Sequence, residues 1–559
     1  MALSYGLTNP AAFIGRYEEY PDLFKFYTVV PTRSTESSAA NKRRPVLYTS
    51  LNGGVRWIYE SQSSGFYNVN YGGNFLFRGN DGTLTAFAHK SASSSYSAYK
   101  ARAGLDDAHK IRLGIQGWET SSAVAYSTTN QPDRQLCRNL SSSRFFCIRN
   151  GGGRVYNNTA WSTANWTLLT NPSGTTLSDD GGFRHMCINP EREHEALMYL
   201  ATNDSNKYMR FYLFDTSTNT FGTDYTSTVC YGSTTWKQAN YKYGSVGYLP
   251  GVGYLIFFNY SSGTKGTEVI ILRTHDANTG ELLPSDQYVR ETSTEPFVMY
   301  NDNAKIVQYG SHGWYCPWTK EYYFVPNANQ VFWTKDGLNW NHSATTGAGT
   351  STACAKFMTD GQSMVVATSG SNYYYSRNKG NGWTTDVTLS PNGFNTGRSN
   401  DCIVLPFKCT NNIGINTSDL VLGKTINIST GAVTDSSVNF YLNEYIPVSA
   451  STSYVFYGAC TTPHGSIAKK QKTFYNRILY YDSNHNFISG KEGADYTHTA
   501  NQREVPCLFT SPSNAAYARI SCMVDNTTVT QESIGYYKWY FAKEDDFKVM
   551  NNYGDIIVD

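Results

Sequence analysis

Glu191-Arg192-Glu193-His194-Glu195 and Asp106-Asp107 bring carboxylates together, and paired carboxylates can do chemistry. One protonated and one ionised acid flanking a glycosidic bond can hydrolyse it. Glu193, His194 and Glu195 are also metal-ligating residue types. Both runs, however, sit in polar stretches that read as loops with solvated side chains, and no H-E-x-x-H helix accompanies them. Gly151-Gly152-Gly153 before Arg154 reads as a flexible turn and not a phosphate cradle, because no helix signal follows it. No G-x-S-x-G serine stands between a strand and a helix signal. Asp276–Gly280 superficially has the make-up of a calcium loop; a plain hairpin turn accounts for it, as for Asp215–Asn219. A different chemistry comes from 44 Tyr, 28 Phe and 11 Trp. Sugars present apolar C–H faces ringed by hydroxyls, so Tyr and Trp beside Asn, Asp and Arg make a saccharide-binding surface. Tyr373, Tyr375, Tyr480, Tyr481, Asp482 and Trp539 are the candidate glycan-binding residues, with Tyr322–Tyr323 and Tyr536–Tyr540 as further neighbourhoods. Strand alternation sends about half of such rings inward, so they mark neighbourhoods and not a pocket.

The elements that must position these residues are short strands. Aromatic and β-branched residues suit pleated, half-buried surfaces, and 47 Gly among abundant Ser, Thr and Asn supply turns. Long Ala, Leu, Glu and Lys runs are missing, so helix should be scarce. Only 16% of residues are charged and the net charge is +2, which leaves no basic stripe for nucleic acid. Lys42–Arg44 is one short solvated cluster. No run of eighteen apolar residues predicts a membrane span, and the first residues lack the pattern of a secretory signal. Eleven Cys without C-x-x-C spacing read as free, mostly buried thiols of a chain folded in a reducing cytoplasm. No metal or organic cofactor is expected.

Ser50-Leu51-Asn52-Gly53-Gly54-Val55-Arg56-Trp57 and Ser376-Arg377-Asn378-Lys379-Gly380-Asn381-Gly382-Trp383 share the pattern S-x-N-x-G-x-x-W. Thr334-Lys335-Asp336-Gly337-Leu338-Asn339-Trp340 is one residue shorter. Each follows an apolar or aromatic run, at Val46–Tyr48, Tyr373–Tyr375 and Val331–Trp333. The pattern resembles the Asp-box of sialidase-type β-propellers, a turn between adjacent strands of a blade. The hydroxyl and the Asn or Asp bond backbone groups across the turn, Gly takes positive φ, and Trp plugs the underside. Ser50, Asn52, Gly54, Trp57, Thr334, Asp336, Gly337, Trp340, Ser376, Asn378, Gly380 and Trp383 are therefore structural candidates. Trp118, Trp166 and Trp236 are weaker echoes, giving Trp spacings of 61, 48, 70, 104 and 43 residues. The longest step spans two repeats and implies a blade near Tyr288 without its Trp. The expectation is an all-β chain with a propeller of about six or seven blades over 41–405; five larger blades would also fit.

From 406 to 559 the texture changes. Thr425–Ile428, Val438–Leu442, Tyr454–Tyr457, Arg477–Tyr481, Tyr517–Val524 and Trp539–Ala542 read as strands, and Ala518, Ile520 and Cys522 alternate with Tyr517, Arg519 and Ser521. Tyr445-Ile446-Pro447-Val448, Tyr480–Asn484, Phe509–Pro512 and Ala516–Arg519 resemble a carbohydrate-binding-like β-sandwich found in phage tail and baseplate proteins, over Gly414–Lys543. That resemblance implies a phage tail fibre or receptor-binding protein that engages host cell-surface glycans without catalysis. It would be assembled in the host cytoplasm into a virion, as a homo-oligomer (a trimer) contacting other tail proteins, with residues 1–40 as an attachment arm. It implies no nucleic-acid partner and no membrane insertion. One rival is a sialidase-like or capsule-degrading glycoside hydrolase. Sialidases hold the substrate carboxylate with an arginine cluster beginning at an aromatic-Arg-x-Pro motif; Arg43-Arg44-Pro45 after Lys42 departs from it in residue and spacing. The other rival is a structural virion component, such as a head fibre or tail hub.

Overall fold

The computed structural model describes much of residues 21–549; residues 1–20, 33–43, 63–74, 231–242, 301–311, 388–400, 461–474, 493–505 and 550–559, with shorter connections, lie outside the described residues. Apolar residues at alternate positions, punctuated by Gly, Asn and Asp turns, produce almost only antiparallel strands. The helices among the described residues are single turns such as Thr226–Val229 and Gln531–Gly535.

Seven sheets of the described residues form a β-propeller. In the first six blades the innermost strands are Phe75–Arg78, Gln135–Arg138, Phe183–Ile188, Tyr243–Leu249, His312–Cys316 and Lys356–Thr359, each followed outward by its sequence successors. Blade seven is composite: Asp401–Cys409 is innermost, followed by Leu23–Thr32, Arg44–Ser50 and Ile58–Gln62. Strands from the two ends of the propeller thus close the ring, in register from Leu23↔Phe407 to Val29↔Asp401. Part of the stretch expected to form an arm is therefore blade strand. Phe24 and Phe26 pack with one core and Leu23 and Tyr27 with another, so this strand is covered on both faces. The expected boundary at 405/406 also falls inside the strand Asp401–Cys409.

The sandwich has a larger sheet, in the order Leu420–Ile426, Val433–Leu442, Tyr517–Met523, Tyr475–Tyr481, Phe487–Glu492, with Ile446–Pro447 also paired to Tyr517–Met523. The smaller sheet runs Cys507–Thr510, Ser453–Cys460, Tyr537–Lys543. Period-two alternation divides the smaller sheet cleanly. Tyr454, Phe456, Cys507, Phe509, Trp539 and Phe541 face the larger sheet, whose Ala518, Ile520 and Cys522 meet them in one core. Val455, Tyr457, Tyr540 and Ala542 face blade seven, against Leu23, Leu51, Phe407 and Phe547.

Polar ties fix the second contact. The Tyr457 hydroxyl donates to Leu51 O at 3.0 Å, and the Tyr540 hydroxyl to Asp22 O at 3.1 Å. Lys538 Nζ meets Asp22 Oδ1 at 2.7 Å, while Asp22 Oδ2 accepts from Cys409 N at 3.0 Å. Past the sandwich, Phe547–Val549 returns to pair with Asp401–Cys409. The sandwich is thereby joined to the strands that close the propeller.

Candidate functional site

The turns between the third and fourth strands of blades five, six and seven contain the Asp-box-like segments. In Thr334–Trp340 the Thr334 hydroxyl accepts from Gly337 N at 2.9 Å. Asp336 Oδ1 accepts from Leu338 N and Asn339 N, both at 2.8 Å, and Trp340 Nε1 donates to Gly337 O at 2.9 Å. Partial burial alone would raise the Asp336 carboxyl; these donors outweigh it and hold the group below the usual range. Ser376 Oγ accepts from Gly380 N at 3.0 Å and from Asn378 N at 3.3 Å, and Ser50 Oγ from Gly54 N at 2.9 Å. Asn52 lies outside the described residues.

Each turn leans on the preceding blade. A Cβ on Gly54 would lie 2.2 Å from Val365 Cγ2, on Gly380 2.4 Å from Ser343 Cβ, and on Gly337 2.9 Å from Ile271 Cδ1. All three glycines have positive φ. Trp57 is buried, and Trp383 Nε1 donates to Ala344 O at 2.8 Å across the seam. Tyr288 directly precedes the strand Val289–Arg290 of blade four, the place taken by Trp340 and Trp383 in their blades.

The run Glu191–Glu195 is a tight turn between the first two strands of blade three, and it divides the carboxylates. Glu193 and His194 are exposed, whereas Glu191 and Glu195 turn inward toward blade four. The Tyr248 hydroxyl donates to Glu191 Oε2 at 2.5 Å, Gly251 N to Oε1 at 3.2 Å, and His275 Nε2 lies 3.4 Å from Oε2. Glu195 accepts from Tyr254 at 3.0 Å, Tyr288 at 2.8 Å and Asn189 Nδ2 at 2.8 Å. Burial, reinforced by the neighbouring carboxylates, raises the Tyr248 and Tyr254 phenols well above their ordinary value and keeps them as donors. The Glu191 and His275 side chains are 1% and 2% exposed, which leaves no approach for a substrate. In blade five Glu321 plays a similar part: both its oxygens lie 2.8 Å from Lys379 Nζ in the turn of blade six. These acids tie blades together. The reading of the whole run as a solvated loop is corrected for Glu191 and Glu195: a tight turn points its first and last residues toward the next blade. Asp106 and Asp107 lie outside the described residues, and among those described no group of three His, Cys, Asp or Glu is arranged to hold a metal.

The aromatic candidates need correction. Tyr375, Tyr480, Tyr481 and Trp539 are buried, and so are Tyr322, Tyr323, Tyr537 and Tyr540. Tyr375 belongs to the propeller core, Tyr480 and Trp539 to the sandwich core. A ring covered on both faces has no C–H-stacking surface left for a sugar. Tyr373 lies in the strand Tyr373–Ser376, with its side chain outside the described residues.

Asp482 is partly exposed and heads a turn on the sandwich. Its Oδ1 accepts from Asn484 N at 2.8 Å and Asn486 N at 2.9 Å, and its Oδ2 from Asn486 Nδ2 at 3.0 Å. Those bonds hold its carboxyl below the usual range. The turn carries His485, whose ring stacks on Tyr445 at 4.2 Å and meets Tyr517 at 4.7 Å. Tyr445, His485 and Tyr517 are the surface aromatics that sequence reasoning passed over. The available signal was a histidine inside an Asn-rich turn.

No protein-family model and no curated protein matches the chain. Among solved structures it is similar to apo AztD from Citrobacter koseri, at 10% identity and TM-score 0.35 over 68% of this chain and 98% of that one. It is also similar to YCF48 bound to D1 peptide, at 12% identity and TM-score 0.30 over 65% of this chain and 95% of that one. A GH74 enzyme from Niastella koreensis shows 12% identity and TM-score 0.25 over 88% of this chain and 81% of that one. At such scores these likenesses carry no functional argument, and the propeller rests on its own strand order.

Proposed function

We propose that this chain is a phage virion receptor-binding protein, of the tail-fibre kind, that recognises host cell-surface glycans without cleaving them. The observation that carries the reading is the joint between sandwich and propeller. An apolar seam, three side-chain ties and a returning strand mount the sandwich on the closing blade, which suits a body that must present a surface under load. The inward carboxylates of blades three and five support binding over hydrolysis, because their hydrogen bonds run between blades. Cys230, Cys316 and Cys409 are free thiols, in keeping with folding in a reducing cytoplasm before release.

The test is a glycan array with whole-cell binding on the purified chain, run beside detection of newly formed reducing ends. Saturable binding without release of sugar is the expected result. Released reducing ends would put a glycoside hydrolase in its place, and neither binding nor release would leave a structural virion part.

A further inference from the structure

We infer that the outer face of the larger sandwich sheet carries a binding site for a neutral pyranose, presented by the exposed His485 ring with Tyr517 beside it and Tyr445 stacked beneath; this rests on the reading of the chain as a glycan-recognition protein. The smaller sheet is occupied on both sides, by the larger sheet and by blade seven. The outer face of the larger sheet therefore points away from the propeller.

On that face one residue is held against its own preference. His485 has φ of 63°, the left-handed region where a Cβ meets the following carbonyl oxygen and glycine is the unstrained choice. The turn around it is over-determined. Besides the three bonds to the Asp482 carboxylate, Asp482 N donates to Asn486 O and His485 N to Asp482 O, both at 3.0 Å. What the strained backbone achieves is the placement of an imidazole, since a glycine would serve the turn alone. Strained residues cluster at functional sites, and here the strained residue also carries the exposed ring of an aromatic stack.

The imidazole is the outer layer of a fixed stack. It lies on Tyr445 at 4.2 Å with 19° between planes, and the Arg519 guanidinium lies 4.9 Å from the Tyr445 centroid. Arg519 is 7% exposed and anchored to Leu442 O and Asn443 Oδ1, each at 3.2 Å. Tyr445 and Tyr517 are half-buried beside the exposed His485, whose ring forms the outer surface of the stack. The exposed neighbours are Asn443, Ser483, Asn484 and Asn486. Ring surface bordered by carboxamides matches a pyranose, which offers a C–H face and a rim of hydroxyls. The Asp482 carboxylate in the turn opposes the Arg519 guanidinium in the stack, so the patch offers an anionic sugar no net attraction and favours a neutral one.

The experiment uses the full chain on immobilised glycans ending in neutral hexoses, N-acetylhexosamines, sialic acid or uronic acid. Wild type is compared with His485→Gly and Tyr517→Ala, and Tm is recorded for each. His485→Gly relieves the backbone and loses the stack, so its Tm should stay within a few degrees of wild type while its affinity for a neutral glycan falls at least about tenfold. Tyr517→Ala should lose binding comparably. Unchanged binding by both variants would overturn the site and leave glycan recognition standing. Binding confined to acidic glycans would overturn the neutral-sugar assignment, and wild type that binds no glycan would remove both the site and the function it rests on.

Discussion

The turns Thr334–Trp340 and Asp482–Asn486 are built alike and used differently. In each, one oxygen of an Asp accepts from two backbone N–H groups and the other from an Asn side-chain amide. Each also holds one residue at positive φ, Gly337 in the propeller and His485 in the sandwich. Gly337 is pressed against Ile271 and Leu255 of blade four, where a side chain has no room. His485 is exposed and stacks its ring on Tyr445. The left-handed position therefore separates a turn that packs from a turn that presents: glycine where the backbone must approach its neighbour, a ring where a ring must be shown.

The largest effect should come from filling the packed turns. Gly54→Ala and Gly337→Ala combine left-handed strain with overpacking and should each cost roughly 2–5 kcal/mol in denaturant unfolding. Gly54 should lie at the upper end, because its Cβ would meet the branched, stiff Val365. A change below about 0.5 kcal/mol for both, within the usual scatter of surface substitutions, would show that these turns do not lean on the preceding blade as described.

Next in size is the capping carboxylate. Asp336→Ala leaves the N–H groups of Leu338 and Asn339 without their acceptor and should cost about 1 kcal/mol at neutral pH. The Asp336 and Asp482 carboxyls both lie below their ordinary value. The stabilisation each gives is therefore complete above the ordinary carboxyl range and lost as pH falls through the lowered folded value. The penalty of Asp336→Ala should shrink in that acid window, which unfolding curves between neutral pH and about pH 3 would show. Asp482→Ala should act chiefly on saccharide binding, by loosening the turn that aims His485. Intact binding in that variant would erase the distinction between the two turns.

What the sequence made legible was local. An Asp-box-like turn spans seven or eight consecutive residues, and its hydroxyl, glycine and tryptophan are all within reach of one reading. Blade seven was not legible, because its first and second strands come from distant parts of the chain and only the fold brings Phe26 opposite Val404. The aromatic candidates failed for a related reason. Alternation says that half of the rings point each way, but not that the second face of Tyr537–Lys543, which carries Tyr540, is covered by blade seven. The turn at Asp482 was readable as a turn, whereas the stack of Arg519, Tyr445 and His485 joins three separate segments. Glu191 and Glu195 read as solvated because their partners, Tyr248, Tyr254 and Tyr288, belong to another blade.

The smallest expected effect bears most directly on the presenting turn. At position 485 glycine removes the left-handed strain of a non-glycine residue, worth about 1–2 kcal/mol. Against that stand the extra freedom of glycine in the unfolded chain, about 0.5–1 kcal/mol, and the loss of an exposed ring stack. The balance is close to zero, so Tm of His485→Gly should stay within a few degrees of wild type. If His485 were present for stability, the stack would have to outweigh the strain, and the same substitution would lower Tm clearly. An unchanged Tm in His485→Gly would mean that the stack does no more than offset the strain of its own backbone, so the residue adds no net stability, and what the ring touches from outside is left as the reason for placing it there.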